Sequence, residues 1–304
     1  MIKVTILGSA SAKPTVDSHP SAQIVNVDEQ FFLVDAGEGV QQQMFRRGIN
    51  PLKLRGVFIS HLHGDHVFGL FPLLSTLGLY GRVMPLRIFA PAPFGEIVGA
   101  FKKYFEDHLC YEIEWVEVDT TRHEMIFESK SLEVWSIPLR HSLRSSGYLF
   151  REKEAALNVE KFKIERYGLT VQQIVAAKRG EDVVLDDGTV IPNAELTYIP
   201  RRAQSYAYCS DTSFSARVAE IVKGVDMLYH EATYAESSRA DAAARGHSTA
   251  MQAAEVARRA GAGRLLIGHF SSRYKDKSLL LEEARTLFPA TEIAEEGRTF
   301  VAGV

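Results

Sequence analysis

A chain of 304 residues, 46% of them hydrophobic, can bury a sizeable core as one large α/β domain or two smaller ones, which excludes a disordered chain. The formal net charge of −3 excludes a uniformly basic surface, so a nucleic-acid partner has to be held by a local patch or by metals. Cys110 and Cys209 stand too far apart for a CxxC zinc knuckle or a disulfide framework, which fits a reducing cytoplasm. No apolar stretch approaches bilayer-spanning length and the start, Met1 to Gly8, lacks a basic region followed by an apolar core, so neither export nor a membrane partner is expected.

Short apolar runs ended by polar residues or glycine read as buried strands, the first at residues 4–7 and the next at 31–34. Between them, Asn26-Val27-Asp28-Glu29-Gln30 looks like a hairpin, so the early region is antiparallel or mixed rather than purely βαβ. A strand at 57–59 precedes helical patterns at about 67–79 and 93–105, and a strand follows at 132–137. From about Glu152 to Pro200 the chain turns polar, with two short helices and the turn Asp186-Asp187-Gly188 between Val183-Val184-Leu185 and Thr189-Val190-Ile191. This stretch reads as an insertion. It carries seven basic residues against four acidic ones between Arg151 and Arg179, an excess as compatible with a solvated helical surface as with an RNA-binding arm. Strands at 206–209, 227–229 and 265–267 then alternate with helices at about 215–223 and 278–287, and with one that Ser248 or Thr249 caps and Gly261 ends. The expected fold is two mixed sheets packed between outer helices.

Directly after the run Val57-Phe58-Ile59-Ser60, the segment His61-Leu62-His63-Gly64-Asp65-His66 sets four chelating side chains in six residues. One such histidine alone more often hydrogen-bonds in a loop or faces solvent; this spacing after a strand points to a metal. Four are more than one catalytic ion needs, which makes two metals plausible. Other apolar runs end in the same way: His141 follows 132–137, Asp211 follows 206–209 and His269 follows 265–267. Singly, His141 and His269 read as loop histidines and Asp211 as the cap of a helix beginning at Thr212-Ser213-Phe214. Together with the first cluster, at one rim of strand ends, they complete two coordination shells. Five histidines and two aspartates suit two zinc ions with Asp211 bridging, and two ions about 3.5–4 Å apart hold a hydroxide and stabilise charge in displacement at phosphorus. Peptide or lactam hydrolysis would use the same hydroxide, so the metals alone do not choose the substrate.

The chain resembles a metallo-β-lactamase-fold hydrolase, and within that superfamily ribonuclease Z, the tRNA 3′-processing endonuclease. The resemblance extends over nearly the whole chain. The HxHxDH segment marks only the superfamily; His230-Glu231-Ala232-Thr233, Gly246-His247-Ser248-Thr249 and His269-Phe270-Ser271-Ser272-Arg273-Tyr274 resemble motifs of ribonuclease Z, as do the segment from Leu7 to Thr15 and Val34-Asp35-Ala36-Gly37-Glu38-Gly39. It implies a four-layer αββα sandwich of two mixed sheets forming a single domain over residues 1–304, with the insertion at about 152–198 as the tRNA-binding arm. It implies that His61, His63 and His141 hold one zinc, that Asp65, His66 and His269 hold the other, and that Asp211 is shared. Asp65 would also orient or deprotonate the attacking water. Glu231 would fix the imidazole of His247, as proton donor to the leaving oxygen or as a ligand to the scissile phosphate; the neighbouring Ser248 and Thr249 offer the plainer reading that His247 is incidental to a helix start. Ser271, Ser272 and Arg273 are expected to contact phosphate oxygens.

The implied enzyme is a zinc-dependent endoribonuclease, with manganese or cobalt able to replace zinc. It removes the 3′ trailer from precursor tRNA, leaves a 3′-hydroxyl on the tRNA and a 5′-phosphate on the trailer, and works as a cytoplasmic homodimer. In two places this chain departs from the family: Val16-Asp17-Ser18-His19-Pro20 stands where an Arg-Asn pair is common, and the insertion lacks a Gly-Pro-rich signature. These bear on substrate grip rather than on phosphodiester hydrolysis, because the two lie in different parts of the chain. They keep open a general phosphodiesterase or 3′ exoribonuclease of the same fold. A catalytically dead RNA-binding member is disfavoured by the complete ligand set together with Glu231 and His247.

Overall fold

The computed structural model describes residues 1–16, 18–105 and 109–303; Asp17, within the departure just noted, lies outside them. The chain divides into two compact units, one of Met1–Arg151 with Gln204–Val304 and one of Glu152–Ala203.

The larger unit is built on two seven-stranded mixed sheets. The first comprises β1 (Ile2–Gly8), β2 (Ala22–Val27), β3 (Gln30–Ala36), β4 (Leu54–Phe58), β5 (Leu86–Ala90) and β6 (Ile113–Glu117), with the last strand of the chain, β18 (Thr299–Val301), paired to β1. The pairings of β1 with β18, β2 with β1 and β3 with β2 are antiparallel, and those from β3 to β6 are parallel. The second sheet runs in the order β17-β16-β15-β14-β9-β8-β7, from β7 (Met125–Glu128), β8 (Leu132–Pro138), β9 (Ser146–Glu152), β14 (Ser205–Cys209), β15 (Met227–Glu231), β16 (Arg264–Gly268) and β17 (Thr291–Ile293). Its strands β14 to β17 are parallel.

Three apolar clusters place the layers. Val4, Phe32, Phe58, Phe150, Tyr206 and Tyr229 come from both sheets and fill the space between them. Leu33 and Val57 on the other face of the first sheet meet α1 (Val40–Arg46), α3 (Leu70–Leu79) and α4 (Phe94–Phe105). Leu228 and Leu265 on the outer face of the second meet α8 (Ala216–Ile221), α10 (Ala250–Ala260) and α11 (Ser278–Leu287). The result is an αββα sandwich. Central strands covered on both faces are apolar over their buried length, and this is why β3, β14 and β15 are legible as apolar runs.

Several elements differ from expectation for identifiable reasons. β5 and β6 are interrupted by charges, Arg87 in one facing Glu114 in the other at 2.9 Å, so neither reads as a buried run. β9 opens Ser146-Gly147, and the glycine is required because a Cβ there would lie 2.5 Å from the Tyr208 carbonyl oxygen. The helix expected at 67–79 is broken: α2 (Gly64–Val67) stops at Phe68, and Gly69 donates its N–H to the Ala36 carbonyl, pinning the ligand segment to the end of β3. Asp211 is not a helix cap, because α8 begins only at Ala216 with Ser215 at its cap position. Of the two residues expected to cap α10, Thr249 does so in a capping box with Gln252.

The smaller unit has its own core of Val159, Leu169, Ala177, Val183, Ile191 and Leu196. Its helices are α5 (Lys161–Tyr167), α6 (Val171–Lys178) and α7 (Asn193–Leu196), and a short ladder joins β10 (Asn158–Val159) to β13 (Thr197–Tyr198). The hairpin of β11 (Val183–Val184) and β12 (Val190–Ile191) turns at Asp186-Asp187-Gly188, with Gly188 at φ 85°.

Candidate metal centre

The seven chelating residues named from sequence come together at the carboxyl ends of β4, β8, β14 and β16. In one group His61 Nε2 and His141 Nε2 point at His63 Nδ1 from 2.9 and 3.3 Å, and Asp211 Oδ2 lies 3.4 Å from the first and 3.5 Å from the second. In the other, His66 Nε2 lies 3.5 Å from Asp65 Oδ2 and 3.3 Å from Asp211 Oδ1, while His269 Nε2 lies 3.6 and 3.1 Å from the same two oxygens. Asp211 therefore offers one oxygen to each group. Ligands at 2.0–2.1 Å from a tetrahedral zinc stand roughly 3.3–3.4 Å from one another, so these spacings are those of coordination edges.

Burial supports the same conclusion. His61, His66, Asp211 and His269 are buried, and His66 Nε2 and His269 Nε2 have no hydrogen-bond partner among the described residues. Orphaned imidazole nitrogens facing carboxylate oxygens are costly without a cation between them, and the donor set fits a divalent metal. Burial and the neighbouring imidazoles hold His61 well below the ordinary histidine range, as a neutral ligand requires. Burial acts against the charged form of Asp211 too, but His269, His66 and His61 overcome it and hold its carboxyl well below the usual range.

The backbone is bent to make this convergence. Asp35, Asp211 and His269, each at or just beyond the end of a strand, have left-handed φ of 54°, 49° and 56°. Non-glycine residues held there store about 1–3 kcal/mol each, a cost tolerated where geometry serves a site.

A further set of residues fixes the ligands. Buried Asp35 accepts from the Ser60 N–H at 2.7 Å, the Ser60 hydroxyl at 2.8 Å and the Tyr208 hydroxyl at 2.6 Å, and stands 2.7 Å from His66 Nδ1. His141 Nδ1 donates to the Gly246 carbonyl at 2.9 Å, and His269 Nδ1 lies 2.9 Å from the Thr233 hydroxyl. Such partners set each ring's tautomer and aim. No local sequence signal gives Asp35 this role, although it too ends an apolar run, Phe31 to Val34.

Glu231 is fully buried at the end of β15. It accepts from the Thr212 N–H at 2.7 Å and the Thr233 hydroxyl at 2.5 Å, and its Oε1 lies 2.9 Å from His247 Nδ1. Burial disfavours protonated His247, but the Glu231 carboxylate outweighs it and raises the imidazole to about 8. His247 lines a cavity of about 560 Å³ with His63, Asp65, Asp211 and His269. Asp65 Oδ2 also accepts the Ala12 N–H at 2.8 Å, tying the loop after β1 to the centre. Ser271 and Ser272 line a neighbouring cavity rather than this one, and Arg273 stacks on Tyr234 at 4.9 Å with Asp241 3.5 Å from its guanidinium. The His19 ring is clamped by Glu296 at 2.9 Å and Gln43 at 2.7 Å.

Among solved structures, human tRNase Z, short form, superposes with a TM-score of 0.69 at 22% identity, covering 99% of this chain and 100% of its own. The metallo-β-lactamase fold protein YhfI from Bacillus subtilis gives 0.68 at 20% identity, covering 98% of each chain. A family model described as Anti-Pycsar protein Apyc1 matches residues 2–144. Architecture and strand-end cluster thus define a metallo-β-lactamase-fold protein with a centre for divalent metal. The particular family is set by sequence: ribonuclease Z of Porphyromonas gingivalis is 44% identical over 293 residues, 96% of each chain. The chain belongs to the ribonuclease Z family and is an endoribonuclease, a phosphodiester hydrolase. No helix among the described residues is long and apolar enough to cross a membrane.

Proposed function

We propose that this protein is a zinc-dependent endoribonuclease that removes the 3′ trailer from precursor tRNA in the cytoplasm. The observation that carries the reading is the pair of chelating groups joined by Asp211 in a chain 44% identical to ribonuclease Z. His61, His63 and His141 would hold one zinc and Asp65, His66 and His269 the other, with Asp211 shared. Manganese or cobalt would fit the same donors. Divalent ions bound by these residues would supply a hydroxide nucleophile at neutral pH and charge neutralisation at phosphorus.

The chain's own residues then divide the work. Asp65, its Oδ2 held by the Ala12 N–H, orients the attacking water. His247 uses Nδ1 for Glu231 and is left with Nε2 for the substrate, where it protonates the leaving 3′ oxygen. Thr233 links the two sides of the centre, because its hydroxyl touches both Glu231 and His269. Attack by external water needs no ribose 2′-hydroxyl, so the products are a 3′-hydroxyl on the tRNA and a 5′-phosphate on the trailer. Ser271, Ser272 and Arg273 are assigned to phosphate oxygens of the substrate.

Residues 152–198 are proposed as the arm that grips the tRNA. The working form is proposed to be a homodimer, supported by the exposed apolar residues Phe45, Leu79, Tyr80, Val83 and Met84 beside α1 and α3. The test is incubation of purified protein with a precursor tRNA bearing a 3′ trailer, with and without chelator, with both new ends mapped. A single chelator-sensitive cut after the discriminator base is expected. Stepwise shortening, or hydrolysis of a small diester without cleavage of the tRNA, would move the function to an exonuclease or a general phosphodiesterase.

A further inference from the structure

Two more concave surfaces adjoin the centre, one beside each chelating group. A groove of about 670 Å³ borders His141 and is lined by Arg140, Arg144, Arg245 and Gly246. A pocket of about 460 Å³ follows His269 in the chain and is lined by Lys13, Lys275 and Lys277, with the hydroxyls of Ser271 and Ser272. Lys13 lines the metal cavity as well, so one lysine borders both. Arg140, Arg245, Lys13 and Lys275 are exposed and form no ion pair among the described residues. The Lys277 ammonium sits over the Phe270 ring at 5.3 Å. In a chain of net charge −3, unpaired cations gathered in two concavities flanking a phosphodiesterase centre are complementary to phosphates on either side of the scissile one.

His247 gives the two flanks different roles. Its proton goes to the leaving oxygen, which belongs to the nucleotide upstream of the cut, so that nucleotide lies against His247, whose ring stands 5.0 Å from His141 and 5.4 Å from His269. Arg245 and Gly246, the two residues before His247, line the arginine groove, and the Gly246 carbonyl accepts from His141. We infer that RNA crosses the centre in one sense. Nucleotides upstream of the cut lie along Arg140, Arg144 and Arg245, and the trailer phosphates beyond the first nucleotide bind in the pocket of Lys13, Lys275 and Lys277. This rests on the reading of His247 as the proton donor and of the substrate as a precursor with a 3′ trailer.

The test uses the full-length, metal-loaded enzyme on two precursor tRNAs, one with a single-nucleotide trailer and one with an extended trailer, comparing Lys275→Gln/Lys277→Gln with Arg140→Gln/Arg245→Gln. On the extended trailer the lysine variant should raise KM roughly fivefold to twentyfold, the scale of two exposed charge pairs. Its dependence of log KM on log salt should become shallower by about 1.4, as the loss of two single-strand phosphate contacts predicts. On the single-nucleotide trailer the variant's KM should return to the wild-type value. The arginine variant should raise KM by a similar factor on both substrates. The reverse pattern, or KM and salt slope unchanged in both variants, overturns the inference. A wild-type enzyme that cuts neither precursor while hydrolysing a small diester fails differently: that result removes the tRNA reading itself, and the inference with it.

Discussion

Replacing His247 by Ala is the sharpest probe of the chemistry. The imidazole has one nitrogen committed to Glu231 at 2.9 Å and is raised to about 8, so near neutral pH it enters the reaction carrying the proton. The rise from 6.5 corresponds to about 2 kcal/mol in favour of the charged ring at 1.36 kcal/mol per unit, with the cost of burial already met. General acid catalysis typically contributes about 10²–10⁴ in rate, or roughly 3–5 kcal/mol of barrier. His247→Ala should therefore lower kcat on a natural RNA by that factor with metal content unchanged. Glu231→Gln, which leaves the ring but removes the charge favouring its protonation, should cost about fourfold at pH 7 and approach roughly thirtyfold above pH 8, where the protonated fraction falls in full proportion. The assay pairs single-turnover cleavage of a natural precursor with cleavage of the same RNA carrying sulfur for the 3′ leaving oxygen. A thiolate departs without a proton, so on that substrate the His247→Ala defect should shrink to within about tenfold. An equal defect on both substrates would refute the proton-donor role and leave His247 as a phosphate ligand.

Asp65→Ala should abolish cleavage and reduce bound metal by one equivalent per chain while the far-ultraviolet circular dichroism stays native; near-normal turnover would remove Asp65 from the centre. Asp35→Asn, which alters the partner of His66 Nδ1 at 2.7 Å, should weaken metal affinity about 10–100-fold in a competition titration with a chromogenic chelator, as loss of a ligand's outer partner does. Deleting residues 152–198 should abolish cleavage of precursor tRNA and spare hydrolysis of bis-p-nitrophenyl phosphate. Equal retention of both activities would show that the insertion is not a substrate arm.

The chelating residues were legible in sequence because of where strands end. His61, Asp211 and His269 each follow a buried apolar run, Val57 to Ile59, Tyr206 to Cys209 and Leu265 to Ile267, and a polar chelator just beyond such a run stands out. The insertion was legible for the opposite reason: its polar composition and turn residues interrupt that rhythm. β5 and β6 were hidden because Arg87 and Glu114 break their apolar runs and find each other only across the ladder. Asp35 could not be given its role by any local pattern, because its partners Ser60, His66 and Tyr208 lie 25, 31 and 173 residues away. The sharing of Asp211 was expected from the ligand count, but which of its oxygens faces which group, and the cations on either flank, were not. Spacing along a chain reports which side chains can bind a metal. Which oxygen faces which nitrogen, and which ring is aimed by which partner, depends on sheets that bring distant strand ends to one rim, and that is decided only in the folded molecule.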